Sequence, residues 1–270
     1  METPSRPDPS PATNDAAPLS GAPGPVNVPG RGEMQFGPLP AARKAARDYM
    51  QGTGLPYHPP VKYQPVDKER AGRIAQEYDR MEHRPQDSEV RAAYTALADE
   101  SMAQYQQIKK TGLKIEFIAA DQDDPYAASP RYAQLDVQEN NHLWVFPTSS
   151  GFGMDDEIDS SQSPLLEDSG EVIGEHKMLV NDVFRIVHDY YGHFKEGNGF
   201  RATGEDNAWR SHMAMFSPKA QRALTSETRG QNSWVNYGPH GLANRTASGA
   251  NTVFAEQKTG LMPEWVTEDL

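Results

Sequence analysis

The 270-residue chain contains no cysteine. Disulfides, thiolate nucleophiles and cysteine-ligated zinc or iron–sulfur centres are thereby excluded, and any metal must rest on His, Asp, Glu, Tyr or backbone oxygen. The absence fits a reducing compartment, and a cytoplasmic location is expected. No stretch approaches the ~20 consecutive apolar residues of a membrane span. The opening residues METPSRPDPSPATND have no basic stretch followed by an apolar one, so no secretory signal is expected. Positive charge is also scarce. The chain has 26 Lys and Arg against 38 Asp and Glu, a formal net charge of −12. That balance disfavours nonspecific contact with nucleic acid or anionic membrane, and a small molecule is the expected partner. Composition carries no signal for an oligomeric state.

Large apolar residues are few in residues 1–36, where Pro, Gly, Ala and Ser dominate. Such a segment buries too little surface to offset its ordering entropy, and a disordered arm is expected. Residues 37–270 form one domain in this reading. AARKAARDYMQGTG reads as a short helix stopped by glycine, and LPYHPPVKYQP as extended. Apolar spacing then gives a helix over 66–83 and a longer one over 84–112, closed by basic residues and Gly112. LKIEFIA and HLWVFP alternate like strands, with a helix opened by Ser129-Pro130 between them. The acidic stretch 148–170 reads as a solvated loop. Four more helices are expected: 175–193, apolar almost all round; 204–216; 217–238; and 250–266, ended by Gly260 and Pro263. The fold class is α+β, mainly α-helical, with a small two- or three-stranded sheet.

The chemistry concentrates in NDVFRIVHDYYGHFKEGNGF. His188 and His193 lie five apart at the end of a buried helix, a rotation of ~140° in regular α-helix. Both can reach one metal only if the helix ends or distorts between them, which Gly192 permits. On the 217–238 helix, Glu227 shares an apolar face with Ala220, Leu224, Gln231 and Trp234. On the 204–216 helix, Glu205, Trp209, His212 and Phe216 share another. A carboxylate on an apolar face is informative, because buried Glu is paired or ligates a metal. The candidate ligands are His188, His193 and Glu227, with Glu205 and His212 as alternatives for the third. Two imidazoles and one carboxylate form the facial triad of non-haem iron(II) oxygenases. Asp189 is a candidate orienter or base, Tyr191 a candidate donor to a bound oxygen species, and Arg229 a candidate catalytic residue. Structural roles compete with each. The histidines suit a helix end bonded to carbonyls, Glu227 an ion pair with Arg222 or Arg229, Glu205 a dipole-favoured first turn, and His212 a satisfied core position. His58 and His240 sit in turn-like sequence and are assigned nothing.

HDYYGH resembles the iron-binding motif of the pterin-dependent aromatic amino acid hydroxylases. The resemblance covers residues 180–235. It implies that His188 and His193 bind iron and that Glu227, 34 positions after His193, completes the set. It further implies a monooxygenase using O2 and a pterin reductant. Phe194 stands where that family has proline. The pattern HDYYGH…GEDNAWRSH…ETRGQNSWVNYGP is also similar to a group of phage and bacterial proteins, some carried within larger polyvalent proteins. That likeness implies no activity, and allows the host cytoplasm or a virion as the location. Two other functions suit the same residues. One is a zinc hydrolase, with a metal-bound water of pKa ~7 and Asp189 or Glu205 as base. The other is a non-catalytic structural or virion-associated protein stapled by the His/Glu cluster.

Overall fold

Turn and cap chemistry sets where several of the elements begin. The computed structural model describes residues 17–57, 60, 62–151, 159–247 and 251–268. The first elements are strands β1 (Val26–Val28) and β2 (Gly32–Met34), an antiparallel pair. Val28 and Phe36 are buried with Leu135, and the Arg131 guanidinium lies 4.4 Å over the Phe36 ring. The expectation of an arm through residue 36 is therefore corrected over 17–36; residues 1–16 lie outside the described residues. Average composition hid three well-spaced apolar anchors, Val26, Val28 and Phe36, which find a surface on the rest of the chain.

Helix α1 (Pro40–Thr53) starts on proline and closes on Gly54, whose φ of 75° suits only glycine well. Helices α2 (Lys68–Arg80) and α3 (Ser88–Lys109) both start on aspartate. Asp67 accepts from the N–H groups of Glu69 and Arg70, and Asp87 from those of Glu89 and Val90. Strand β3 (Lys114–Phe117), helix α4 (Arg131–Asn140) and strand β4 (His142–Val145) follow, with β3 and β4 parallel. A parallel pair needs a crossover, which α4 supplies.

After a single turn, α5 (Thr148–Gly151), the acidic stretch is partly ordered into two 3-10 turns and strand β5 (Asp168–Ile173). Strand β6 (His176–Leu179) pairs with β5 antiparallel. Residues 175–179 are thus a turn residue and a strand rather than the start of a helix, and α6 (Val180–His188) begins only at Val180. It continues through a π-helical turn, Asp189–Phe194. Helices α7 (Ala202–Met213), α8 (Pro218–Thr225), α9 (Gln231–Tyr237) and α10 (Gly241–Asn244) complete the set, with a second π turn, Ser226–Gly230, joining α8 to α9. The expected 250–266 helix is not formed: residues 252–263 run without helix to a 3-10 turn at Glu264–Val266.

The molecule is a mainly helical α+β fold with three two-stranded sheets among the described residues. Helix α3 packs on α1, α6 and α8, while α2 packs on α9. Met50, Ile108, Leu143, Val183, Val187 and Tyr191 fill the principal core, and Tyr94, Leu97, Trp209, Phe216 and Leu224 a second. Each such side chain contributes roughly 1.5–3 kcal/mol of burial. Among the described residues no helix is long and apolar enough to cross a membrane.

Candidate metal centre

The start of α6 is fixed by Asp182. Its fully buried carboxylate accepts from the Leu179 N–H at 2.8 Å and from the Thr148 N–H at 2.7 Å. The far end distorts as the His188/His193 spacing requires. The Lys195 N–H donates to the Tyr190 carbonyl at 2.9 Å and the Asn198 N–H to the His193 carbonyl at 2.9 Å. Bonds that reach back five residues rather than four widen the turn and carry positions five apart toward one face. The two rings meet edge to face, centroids 5.3 Å apart. Gly192 makes this possible, since a Cβ there would lie 3.1 Å from the Ala208 carbonyl oxygen on α7 and 3.1 Å from His188 Cε1.

Helix α7 brings the carboxylate. Glu205, in its first turn, places Oε2 3.3 Å from His193 Nε2. One ligand atom from each of His188, His193 and Glu205 lies within 4.8 Å of the others. His193 is buried, and its Nδ1 has no hydrogen-bond partner among the described residues. Its ring stacks on Phe200, centroids 4.3 Å apart and planes 10° from parallel. Arg131 holds the segment before Phe200 by donating to the carbonyls of Gly197 and Asn198, at 3.1 and 3.3 Å.

Burial and the facing charges act in opposite directions in this cluster. Burial, reinforced by the neighbouring His193, drives His188 down to about 3, so its ring is neutral. Burial also opposes charge on His193 and Glu205, but their mutual attraction and contact outweigh it: His193 is raised and Glu205 lowered. Contact with Glu205 thus favours the protonated form of His193. A divalent ion taking that proton's place would meet two neutral imidazoles and a carboxylate, a donor set that suits Fe, Zn or Mn.

A relay sets the tautomer of His188. The Gln104 amide on α3 donates to the Met215 carbonyl at 3.2 Å, which leaves its oxygen to accept from His212 Nε2–H at 2.9 Å. His212 Nδ1 then accepts from His188 Nδ1–H at 3.1 Å. His188 is left with a lone pair on Nε2, the state a metal ligand needs. His212 is fully buried and held neutral by burial and by His188, so it serves this relay. Gln104 and Phe200 went unnoticed in the sequence. Gln104 carried a usable signal, because it shares the buried face of α3 with Leu97, Ser101 and Ile108.

The remaining candidates lie elsewhere. Glu227 is not grouped with the histidines: it accepts from the Tyr94 hydroxyl at 2.6 Å and from the Gln231 amide at 2.9 Å. Its helix face meets α3, not α6, so Glu205 rather than Glu227 is the carboxylate grouped with the histidines. Burial raises the Glu227 carboxyl to about 7. Arg222 pairs with Glu89 instead, and Arg229 with Asp206 at 3.0 Å, its guanidinium 3.8 Å over the Trp209 ring. Arg229 therefore lies outside the group formed by His188, His193 and Glu205. Asp189 is half-buried and raised to about 6 by burial, but it is not the group that either imidazole hydrogen-bonds. The Tyr191 hydroxyl is buried with no hydrogen-bond partner among the described residues, and its ring lies 6.3 Å from that of His212. His240 lies 5.9 Å from the Trp234 ring, and His58 lies outside the described residues. Comparison with protein-family models, with curated proteins and with solved structures finds no match to this chain.

Proposed function

We propose that the chain is a mononuclear non-haem metalloprotein whose ligands are His188, His193 and Glu205, and that it uses iron(II) for O2-dependent hydroxylation of a small molecule. The observation that carries this is the convergence of two imidazoles and one carboxylate at the junction of α6 and α7. The likeness of HDYYGH to the aromatic hydroxylases supports iron over other ions. Bound there, iron(II) would supply O2 activation, with coordination positions open beyond three protein ligands. The chain's own residues orient and shield. The Gln104–His212 relay presents His188 Nε2, Phe200 stacks on His193 and fixes its plane, and the Phe184 ring lies 6.1 Å from that of His188. Such support holds ligands at the angles a metal requires.

The test is elemental analysis of chain purified anaerobically without chelator, beside three variants. About one iron per chain is expected in the parent and in Glu227→Ala, and little in His193→Ala or Glu205→Ala. Oxygen consumption would then be assayed with a pterin and aromatic amino acids. Zinc in place of iron would redirect the assignment to hydrolysis. Equal metal content in parent and Glu205→Ala would overturn the ligand set. No metal after reconstitution would leave the His193–Glu205 contact as a structural ion pair.

A further inference from the structure

A second cluster of charge lies across the first turn of α7 from the metal centre. Helices α2, α7 and α9 enclose a cavity of about 110 Å³, and its lining includes Arg70, Arg210, Arg229, Asp206, Asn232 and Tyr237. Arg70 and Arg229 are buried, at 9% and 3% exposure. In a chain of net charge −12, three guanidinium groups on one small cavity run against the overall balance. Among the described residues Arg70 has no acidic partner, and Arg229 shares Asp206, at 3.0 Å, with Arg210, at 2.8 Å. Asp67 is exposed at the rim and engaged as the α2 cap.

The other partners of Arg70 and Arg229 are neutral. Arg70 donates to the carbonyls of Trp265 and Glu268, at 2.6 and 3.0 Å, and Arg229 to those of Val266 and Glu268, at 2.9 and 3.1 Å. These bonds fix the guanidinium planes without cancelling their charge. Arg70 Nε is buried with no hydrogen-bond partner among the described residues. Burial lowers Arg229 to about 10; Asp206 opposes that fall, while nearby Arg210 and Arg70 add to it. The cavity also borders Ala202, first residue of α7, a helix whose N-terminus has no side-chain cap. The positive end of that helix dipole therefore adds to the field of the guanidinium groups.

We infer that this cavity binds an oxyanion group, a phosphate or carboxylate borne by a small molecule. Planar guanidinium donors and an uncapped helix start match such a group in charge and geometry. The size agrees, since an apolar cavity of about 150 Å³ takes benzene and this one takes a head group and little else. A nucleic acid strand does not fit. The site shares only a helix turn with the metal centre, because Glu205 and Asp206 are successive residues whose side chains point ~100° apart.

The test is calorimetric titration of the full chain with inorganic phosphate and, separately, succinate, at fixed ionic strength. It is run on the parent, on Asn232→Asp and on the surface control Lys219→Gln. Asn232→Asp suits the purpose because Oδ1 still accepts from the Asn236 amide, a 2.7 Å bond, and only a 3.5 Å contact from its amide to the Ala202 carbonyl is lost. The new carboxylate takes the place of the ligand's charge. Saturable one-site binding is expected in the parent and in Lys219→Gln, weakened at least about tenfold in Asn232→Asp. Without added anion, Asn232→Asp should melt no lower than the parent, which separates lost binding from lost fold. Preference for phosphate would assign a phosphorylated ligand, and preference for succinate a carboxylate. No saturable binding of either probe in the millimolar range, or equal affinities in parent and Asn232→Asp, would overturn the proposal. An equal loss in Lys219→Gln would overturn it too, as a general charge effect.

Discussion

At the scale of single residues, Glu227 shows what a helical wheel can and cannot tell. The wheel correctly put its carboxylate on the face of Leu224, a buried side chain. It could not say which helix that face would meet. It meets α3, where the Tyr94 hydroxyl donates at 2.6 Å. The histidine pair was legible because five-residue spacing with an internal glycine is odd in a buried helix. In sequence the carboxylate grouped with it reads as a first-turn residue, an alternative ligand or a base, because the approach of α7 to α6 is a tertiary fact. Burial of Glu227 has a pH consequence. Its carboxyl is raised from 4.5 to about 7, so the folded state holds the proton after the unfolded chain has released it. Stability is full below about pH 4.5, falls as pH rises toward 7 and then levels. At ~1.4 kcal/mol per pH unit the loss is at most about 3 kcal/mol. Glu227→Gln keeps an acceptor for Tyr94 and cannot ionise. Urea unfolding at pH 5 and pH 8 should show the variant gaining on the parent by roughly 1–3 kcal/mol at the higher pH. A gap that does not change with pH would mean that Glu227 ionises freely in the fold.

At the scale of elements, boundaries marked by local chemistry were readable and those made by distant partners were not. Asp67, Asp87 and Ser217 cap their helices, and Gly54 closes α1, as their residue types suggest. Strand β6 was misread because HKML fits a strand or a helix start equally well, and its partner β5 lies in a polar stretch. The π turn was foreseen only as some distortion at Gly192, since nothing local fixes a five-residue bond. It depends on α7 lying close enough that a Cβ at 192 would stand 3.1 Å from the Ala208 carbonyl oxygen. Gly192→Ala must therefore push α7 and the His188 ring apart, at a cost of about 1–3 kcal/mol. Gly52, in α1, has nothing within 4 Å of its Cβ position, and Gly52→Ala should stabilise by about 0.5–1 kcal/mol. Opposite signs in thermal or urea unfolding are the expected outcome. Stabilisation by both changes would mean that helix propensity, not contact with α7, governs position 192.

At the scale of the whole molecule, the helical class was plain from periodicity, while the closing of the fold was not. TVFAEQKTGLM has helical spacing, yet the chain lays it out, together with residues 263–268, as a strap. Its polar groups find partners one by one. The Arg84 N–H donates to the Thr259 carbonyl at 2.8 Å, the Thr259 N–H to His83 Nδ1 at 2.9 Å, and the Met262 N–H to the Ser226 hydroxyl at 3.1 Å. Its apolar groups, Ala255, Met262 and Val266, complete a third core with Ile74, Tyr78 and Met81. These bonds replace the internal ladder of a helix, so tertiary partners override local propensity. The same strap carries the carbonyls that hold Arg70 and Arg229 in place, so it ties the cavity arginines to the closing of the fold. If the strap is as integral as this packing implies, truncating Met262, 1% exposed, should behave like a change in a central helix. Met262→Ala should cost about 2–5 kcal/mol, a large share of the roughly 5–15 kcal/mol that holds a typical domain. Urea unfolding should show one cooperative transition at a lower midpoint, because α2, α9 and the strap share this core. A loss below about 1 kcal/mol, or an early separate transition with the main one unmoved, would instead make the strap an appendage and leave the arginines to be held by the helices alone.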